Sequence, residues 1–426
     1  MLILYNMLQV VFLVVFFPIL LIVAVSNSKY RSRILSRLGF GLRKKIASIS
    51  PSTDKAPTIW IHALSVGETT SAEPLILGLR NRYNNCRIIF SVTTKSGKAV
   101  ADSIMTSQVD LVLDGPLDLL PVVSYFHAKI QPSLFILVET DFWPNNLLLL
   151  QKKKIPSILV NGRVSAKSIS GYRRMAFFFR PIFQSFSALS MQTCEDKEKM
   201  QSLGIEPARA LTLGNLKFDT PEIRGDKGVA ELQATLPANK TIFICGSTHP
   251  GEEELLIESY LEIRQEFPDI FLVIAPRNLK RVKEIIEIAK SQSLSICLRT
   301  DNTRQDCDIF ILDTIGELAS CYSLAEITFV GGSLVSKGGH NPIEPAAMGK
   351  PVLFGPHMED FSEIAQSLQQ CGGARLVKNR QEISATLREL LQSETLRKQQ
   401  GLAAKNFVVN HRGVIDRHLT LIQQLL

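Results

Sequence analysis

The stretch TIWIHALSVGETTSAEP, residues 58–74, begins as a short apolar run and then turns to small and polar residues. The run reads as a buried strand. Ser65-Val66-Gly67-Glu68 has the S-x-x-E spacing of a capping box, in which serine and glutamate satisfy free N–H groups at a helix start. A strand that passes straight into a helix is the repeating unit of an α/β fold. The mouth of such a turn is also a usual place for a catalytic base. Glu68 therefore has two readings, as a cap and as a base.

The same pattern repeats along the chain. TIWIHALS, CRIIFSVTT, VDLVLDG, SLFILVET, PSILVNG and ALSMQT fill the first half. TIFICGST, DIFLVIAPR, LSICLRT, DIFILDT, EITFVGG, KPVLFG and GARLV fill the second. Short, strongly apolar strands separated by helical patterns imply parallel sheets covered on both faces. The segment 217–240 has no clean strand and divides the chain near its middle. At 426 residues two domains are expected. The expected architecture is α/β, with two doubly wound Rossmann-like domains facing a cleft. Their bounds are 29–216 and 241–426, joined by a linker over 217–240.

The net charge of +8 suggests nucleic acid until it is located. Residues 1–53 hold seven basic and no acidic side chains, which leaves 41 basic against 40 acidic residues elsewhere. The body is neutral, and a nucleic-acid partner is not expected. Ahead of the basic residues runs MLQVVFLVVFFPILLIVAV, residues 7–25, without a charge. At helical rise it reaches about 28 Å, close to the hydrocarbon thickness of a bilayer. Lys and Arg follow it and none precede it, which predicts a single-pass anchor over 1–28 with the domains on the cytoplasmic side. A cleaved leader would want a basic start, which is absent, although Ala24-Val25-Ser26 is a passable cleavage site. The seven cysteines are scattered and form no C-x-x-C, so buried free thiols are expected and no metal site.

Ligands of doubly wound sheets gather at the carboxyl ends of the strands. In the second half those ends carry Ser247 and Thr248, whose N–H groups could receive a phosphate, and Pro276-Arg277. Glu252 to Glu254 stand at a helix start, where they suit the helix dipole. Arg277, beside a proline at the end of a buried strand, is placed to grip an anion. GGSLVSKGGHNPIEPAAMGKPVLFGP, residues 331–356, crowds glycines and a histidine before a helix that Asn341 can cap. Glycines there let a ligand approach the backbone. In the first half the strand ends carry His62 to Glu68 and Glu139-Thr140-Asp141 before Trp143. Arg163, Lys167, Arg173 and Arg174 lie among hydroxyls in NGRVSAKSISGYRR. They read either as a solvated helix face or as a basic floor for a phosphorylated acceptor. No P-loop occurs, and the first turn lacks G-x-G-x-x-G.

IHALSVGET, VETDFWPN, NGRVSAKS, GNLKFD, CGSTHPGEEE, APR, DTIGEL and GGSLVSKGGHNPIEPAAMGKPVLFGP resemble, in order, the blocks of the bacterial 3-deoxy-D-manno-octulosonic acid (Kdo) transferases. Two places depart from the family's pattern. Gly162 stands where alanine is usual, and Asp141-Phe142 where Glu-Leu is commoner. The resemblance implies a GT-B glycosyltransferase that moves Kdo from CMP-Kdo to a lipid A precursor, lipid IVA, at the inner face of the bacterial inner membrane. It implies that Glu68 is the general base and that Glu139 and Lys217 stabilise the transition state. It places CMP against Pro276 and Arg277, against Ile315, Gly316 and Glu317, and against Asn341, Pro342, Ile343 and Glu344. It further implies inverting transfer without metal or cofactor, CMP-Kdo being the donor substrate. Asp306-Cys307-Asp308 precedes a strand, so it does not stand where a metal-binding D-x-D would. Another GT-B enzyme, such as a UDP-sugar transferase or a hexosamine 2-epimerase, would share the ribose-binding block. A membrane-tethered nucleotide-binding protein would not need the base.

Overall fold

The computed structural model describes residues 2–26, 28–49, 56–83, 85–219, 226–301 and 307–426, and leaves aside the side chains of 17–30, 166 and 226–228. Residues 220–225 of the expected linker and Asp306 lie outside this description. The chain divides into two compact units, Met1–Thr220 with Gly413–Leu426, and Pro221–Arg412.

The first unit is built on seven strands: β1 (Thr58–Ala63), β2 (Arg87–Val92), β3 (Leu111–Asp114), β4 (Leu134–Val138), β5 (Ser157–Gly162), β6 (Ala188–Met191) and β7 (Ala210–Thr212). They pair in the order β3-β2-β1-β4-β5-β6-β7, all parallel. The second unit holds β8 (Thr241–Thr248), β9 (Ile270–Pro276), β10 (Ile296–Leu298), β11 (Ile309–Ile311), β12 (Ile327–Val330), β13 (Val352–Phe354) and β14 (Ala374–Leu376). Its order is β10-β11-β9-β8-β12-β13-β14, again all parallel. Two doubly wound α/β units are thus what the chain forms.

Side-chain alternation explains why the strands are apolar throughout. Ile59, Ile61 and Ala63 of β1 join one core cluster and Trp60 joins another, so both faces of the strand are covered. Phe243 and Cys245 of β8 divide from Ile242 and Ile244 in the same way. A strand buried on two faces has no polar side to show. In each sheet the first strand is flanked by its successor on one side and by a later strand on the other: β2 and β4 around β1, β9 and β12 around β8. The connections leave in opposite directions there, and this switch point is where such sheets hold ligands.

The N-terminal helix Leu2–Ser26 is present, but it does not serve as the expected anchor. Among the described residues no helix is long and apolar enough to cross a membrane, which overturns the single-pass anchor and the inner-membrane location drawn from it. The first turns of this helix are instead tied to the first unit by polar bonds. Tyr5 donates to Asp118 Oδ2 at 3.0 Å, Gln9 to the Asp118 carbonyl at 3.0 Å, and Asn6 to Asn145 Oδ1 at 2.9 Å.

The sequence places residues 413–426 at the end of the second domain, whereas the structure packs them on the first. The helix Val414–Leu425 begins under the Asp219 carboxylate, which accepts from Gly413 N at 2.8 Å and Ile415 N at 2.6 Å. Its His418 is buried and neutral, with burial pushing the ring down to about 4. The ring donates from Nδ1 to the Val414 carbonyl (2.7 Å) and accepts at Nε2 from Ser190 Oγ (2.8 Å). Asp219→Ala takes the acceptor from two N–H donors at a helix start. We expect it to lower stability by about 1–2 kcal/mol, read from urea melts, with unchanged strand content.

Candidate active site

At the mouth of β1 the capping box forms, with one displacement. Ser65 caps the helix Val66–Arg82 and accepts from Glu68 N, while the Glu68 carboxylate reaches back one residue further than usual, to Leu64 N. Its other oxygen accepts from Thr140 Oγ1 at 2.6 Å, in the loop after β4. Glu68 therefore joins the two strand ends that border the switch point. It is buried, and loss of solvent lifts its pKa to about 7. The bonds from Thr140 and Leu64 oppose that rise, and the nearby Glu139 and Asp141 carboxylates add to it. A carboxylate poised near neutrality is the form suited to general-base work. Cap and base are compatible in this one residue.

Glu139 directly follows β4 in a left-handed conformation, φ 60°, which a non-glycine residue rarely adopts. Its Oε1 accepts from Asn161 Nδ2 at 2.7 Å and Ser71 Oγ at 3.3 Å. Asn161 also accepts from Leu216 N at 3.0 Å. That bond ties Glu139 to the 3₁₀ turn Leu216–Asp219, which carries Lys217. The structure thus brings Glu68 and Glu139 together and fastens the Lys217 turn to the same group.

A third carboxylate, noted at the same strand end but given no catalytic role, joins them. Asp141, also left-handed at φ 76°, accepts from Thr93 Oγ1 at 2.7 Å and from His62 Nε2 at 3.2 Å. Burial would raise Asp141, but the bonds from His62, Thr93 and Trp143 outweigh it and hold the carboxyl below its ordinary value. Burial lowers His62, which stays a neutral donor. Its tautomer follows from Asp141, whose carboxylate only accepts; Nδ1 is then the acceptor for Ser91 Oγ (2.7 Å), which itself accepts from Trp60 Nε1 (2.8 Å). The proton must then lie on Nε2, facing Asp141. A histidine next to the end of an apolar strand, and the Asp141 carboxylate before Trp143, were the sequence signals for this network.

In the second unit the switch point is held by Glu252, which is fully buried. Its Oε2 accepts from His249 N at 2.9 Å and Gly332 N at 2.8 Å, and its Oε1 from Ser333 N at 3.0 Å and Leu334 N at 2.9 Å. One carboxylate closes the turns after β8 and β12, well beyond the helix-dipole role read from sequence. Arg277 N donates to the Thr248 carbonyl at 3.0 Å, which sets the exposed Arg277 beside the same turn. Ser247 is left-handed, φ 57°, and the Thr248 hydroxyl is buried without a hydrogen-bond partner.

Asn341 lies one residue before the cap of the helix Ile343–Ala347, the cap being Pro342. Its side chain accepts from Ile343 N (3.1 Å) and donates to Glu344 Oε1 (3.1 Å). Burial raises Glu344, against the pull of Asn341 and of the Arg277 charge. After β11, Glu317 pairs with Arg299 at 3.0 Å and accepts from Thr314, while the Ile315 side chain stands almost wholly in solvent beside Gly316, φ 91°. Of the four basic residues proposed for an acceptor, all are exposed, and Arg173 is bonded to Ser202 Oγ at 2.8 Å.

The fold is that of the GT-B proteins. The structure is similar to that of a glycosyltransferase from Rickettsia africae, with a TM-score of 0.58 at 10% identity over 87% of this chain and 99% of the other. It is also similar to UDP-GlcNAc 2-epimerase from Neisseria meningitidis bound to UDP-GlcNAc, with a TM-score of 0.55 at 14% identity over 83% and 99%. The fold alone therefore does not choose between transfer and epimerisation. Sequence similarity does. The family model described as 3-deoxy-D-manno-octulosonic-acid transferase (kdotransferase) matches residues 32–220. The 3-deoxy-D-manno-octulosonic acid transferase of Haemophilus influenzae is 30% identical over 95% of this chain and 94% of its own length. The chain belongs to the 3-deoxy-D-manno-octulosonic acid transferase family and is a glycosyltransferase.

Proposed function

We propose that this chain transfers Kdo from CMP-Kdo to a lipid A precursor, with Glu68 as the general base. The observation that carries the base assignment is the buried Glu68 carboxylate, lifted to about 7 at the switch point of the first sheet. In this reading an acceptor hydroxyl oxygen bonds to the anomeric carbon of Kdo with inversion. The bond from that carbon to the CMP phosphate oxygen breaks, the hydroxyl proton passes to Glu68, and CMP leaves. Glu139 and Lys217 stabilise the charge that develops in between. Preorganised charge is enough for a departing monophosphate, and the proposal needs no metal.

The donor is assigned to the second unit. Arg277 with Pro276, and the Ser247-Thr248 turn, take the phosphate. Glu344 with Asn341, Pro342 and Ile343 takes the ribose, and the exposed Ile315 with Gly316 and Glu317 borders the base. Arg163, Lys167, Arg173 and Arg174 offer charge to a phosphorylated acceptor. Incubating the purified chain with CMP-Kdo and lipid IVA and weighing the product tests the reaction. No mass gain, or turnover of UDP-N-acetylglucosamine instead, would overturn it. Arg277→Ala removes a charge-assisted contact and is expected to weaken CMP inhibition about 10- to 100-fold. An unchanged inhibition constant would remove Arg277 from the donor site.

A further inference from the structure

Two histidines that none of these roles uses meet at the switch point of the second sheet. His249 immediately follows β8, and His340 lies in the loop that follows β12. Their Nε2 atoms are 2.8 Å apart and their ring planes lie within 6° of parallel. The backbone is shaped for the pair. His249 N is held by Glu252, His340 N donates to the Gly331 carbonyl at 3.1 Å, and Gly339 N to the Gly332 carbonyl at 2.9 Å. A Cβ on Gly332 would lie 3.0 Å from His340 Cδ2 and 3.4 Å from His249 Cδ2, so the glycine leaves the room that both rings occupy. Thr248, the residue before His249, is 1% exposed, and its hydroxyl has no hydrogen-bond partner among the described residues.

The chemistry of an N–H···N bond constrains what this pair presents. One ring must donate and the other accept, so the neutral pair holds opposite tautomers. Of the two Nδ1 atoms, one then carries a proton and the other is bare. Adding a single proton keeps the internal bond and turns both Nδ1 atoms into donors. An anion, which only accepts, selects that protonated form. Without one, the pair is kept neutral: burial and the charges of Arg277, Lys337 and Arg281 lower His249, and burial with Arg277 lowers His340 to about 4. The acidic groups nearby are committed, Glu252 to four N–H donors and Glu253 to Arg281 at 2.6 Å. Cations that repel an imidazolium attract a phosphate, and a bound phosphate reverses their effect on the pair.

We propose that His249 and His340 form a proton-sharing clamp for the phosphate of the nucleotide donor, binding it as a singly protonated couple. The proposal rests on the CMP-donor reading and names a phosphate subsite within it. The test is calorimetric titration of the full chain with CMP and with cytidine at pH 7.5, in buffers of different ionisation heat. Wild type is compared with His340→Asn, which keeps a group at the Nδ1 position, and His249→Gln, which keeps one at Nε2. The wild-type chain is expected to take up more protons per CMP bound than either variant, by up to about one. Each variant is expected to bind CMP at least about tenfold more weakly and cytidine as before. Equal proton counts and equal CMP affinity would overturn the clamp while leaving the donor reading intact. Equal losses for CMP and cytidine would also overturn it, since the pair would not then be reading the phosphate. A wild-type chain that binds no CMP overturns the donor reading and the clamp with it.

Discussion

Glu68→Gln is expected to reduce Kdo transfer by about 10²–10⁴-fold, the range that a positioned base contributes, and to leave CMP affinity unchanged. The substitution isolates the chemistry because glutamine can keep both structural bonds. Its oxygen can accept from Leu64 N, and its amide can donate to Thr140 Oγ1, so the helix start survives. With Glu68 as the base, the wild-type profile of kcat/KM is expected to rise with pH through about 7 and to flatten above, since a base acts only when ionised. Stability runs the other way. A carboxyl raised above its unfolded value of about 4.5 is favoured by the fold when protonated. Its contribution is full below about 4.5 and is lost as the pH rises through about 7. Glu68→Gln should therefore melt no lower than wild type at pH 8 while losing turnover. Retained turnover, or a wild-type profile with no inflection near neutrality, would remove Glu68 from the chemistry.

Glu252→Ala produces the largest expected loss of stability, about 3–5 kcal/mol, together with loss of CMP binding. Four backbone N–H groups on two loops share this carboxylate. Each costs about 1–3 kcal/mol when buried without an acceptor, and partial collapse of the loops keeps the sum below the simple total. Glu252→Gln should be nearly as harmful, since each oxygen already serves two donors and an amide NH₂ would face two N–H groups. Chemical denaturation of both variants, with CMP titration of the folded fraction, decides it. A loss below about 1 kcal/mol in both would mean that the loops hold themselves.

The two sheets were legible because strands buried on both faces must be apolar and must end in small or polar residues. Glu68 was legible as a cap through its spacing, and its proposed role as a base rests on the blocks around it. Other parts were hidden for physical reasons. Glu252 sits among three consecutive glutamates that all suit a helix start, and nothing local marks the one that turns inward to N–H groups about 80 residues away. His62 is on β1 and Asp141 in the loop after β4, so their bond exists only once β1 and β4 pair. The apolar run at 7–25 suggested a span. What sequence could not show was that Tyr5, Asn6 and Gln9 at the start of that helix find partners in Asp118 and Asn145. The last fourteen residues follow the second unit in sequence but are recruited by Asp219 and Ser190 of the first, through contacts roughly 200 residues long.

That recruitment has a consequence for biosynthesis. The helix Val414–Leu425 belongs to the first unit, so the second unit is an insertion within it, bounded at Thr220/Pro221 and Arg412/Gly413. A ribosome making this chain finishes the inserted unit while the surrounding one still lacks the helix Val414–Leu425. The second unit's sheet can therefore be folded on the nascent chain before the first unit's sheet is covered by that helix. Completion of the first unit waits until Val414–Leu425 has left the ribosome, so the unit that begins first is closed after the one inserted in it has been made.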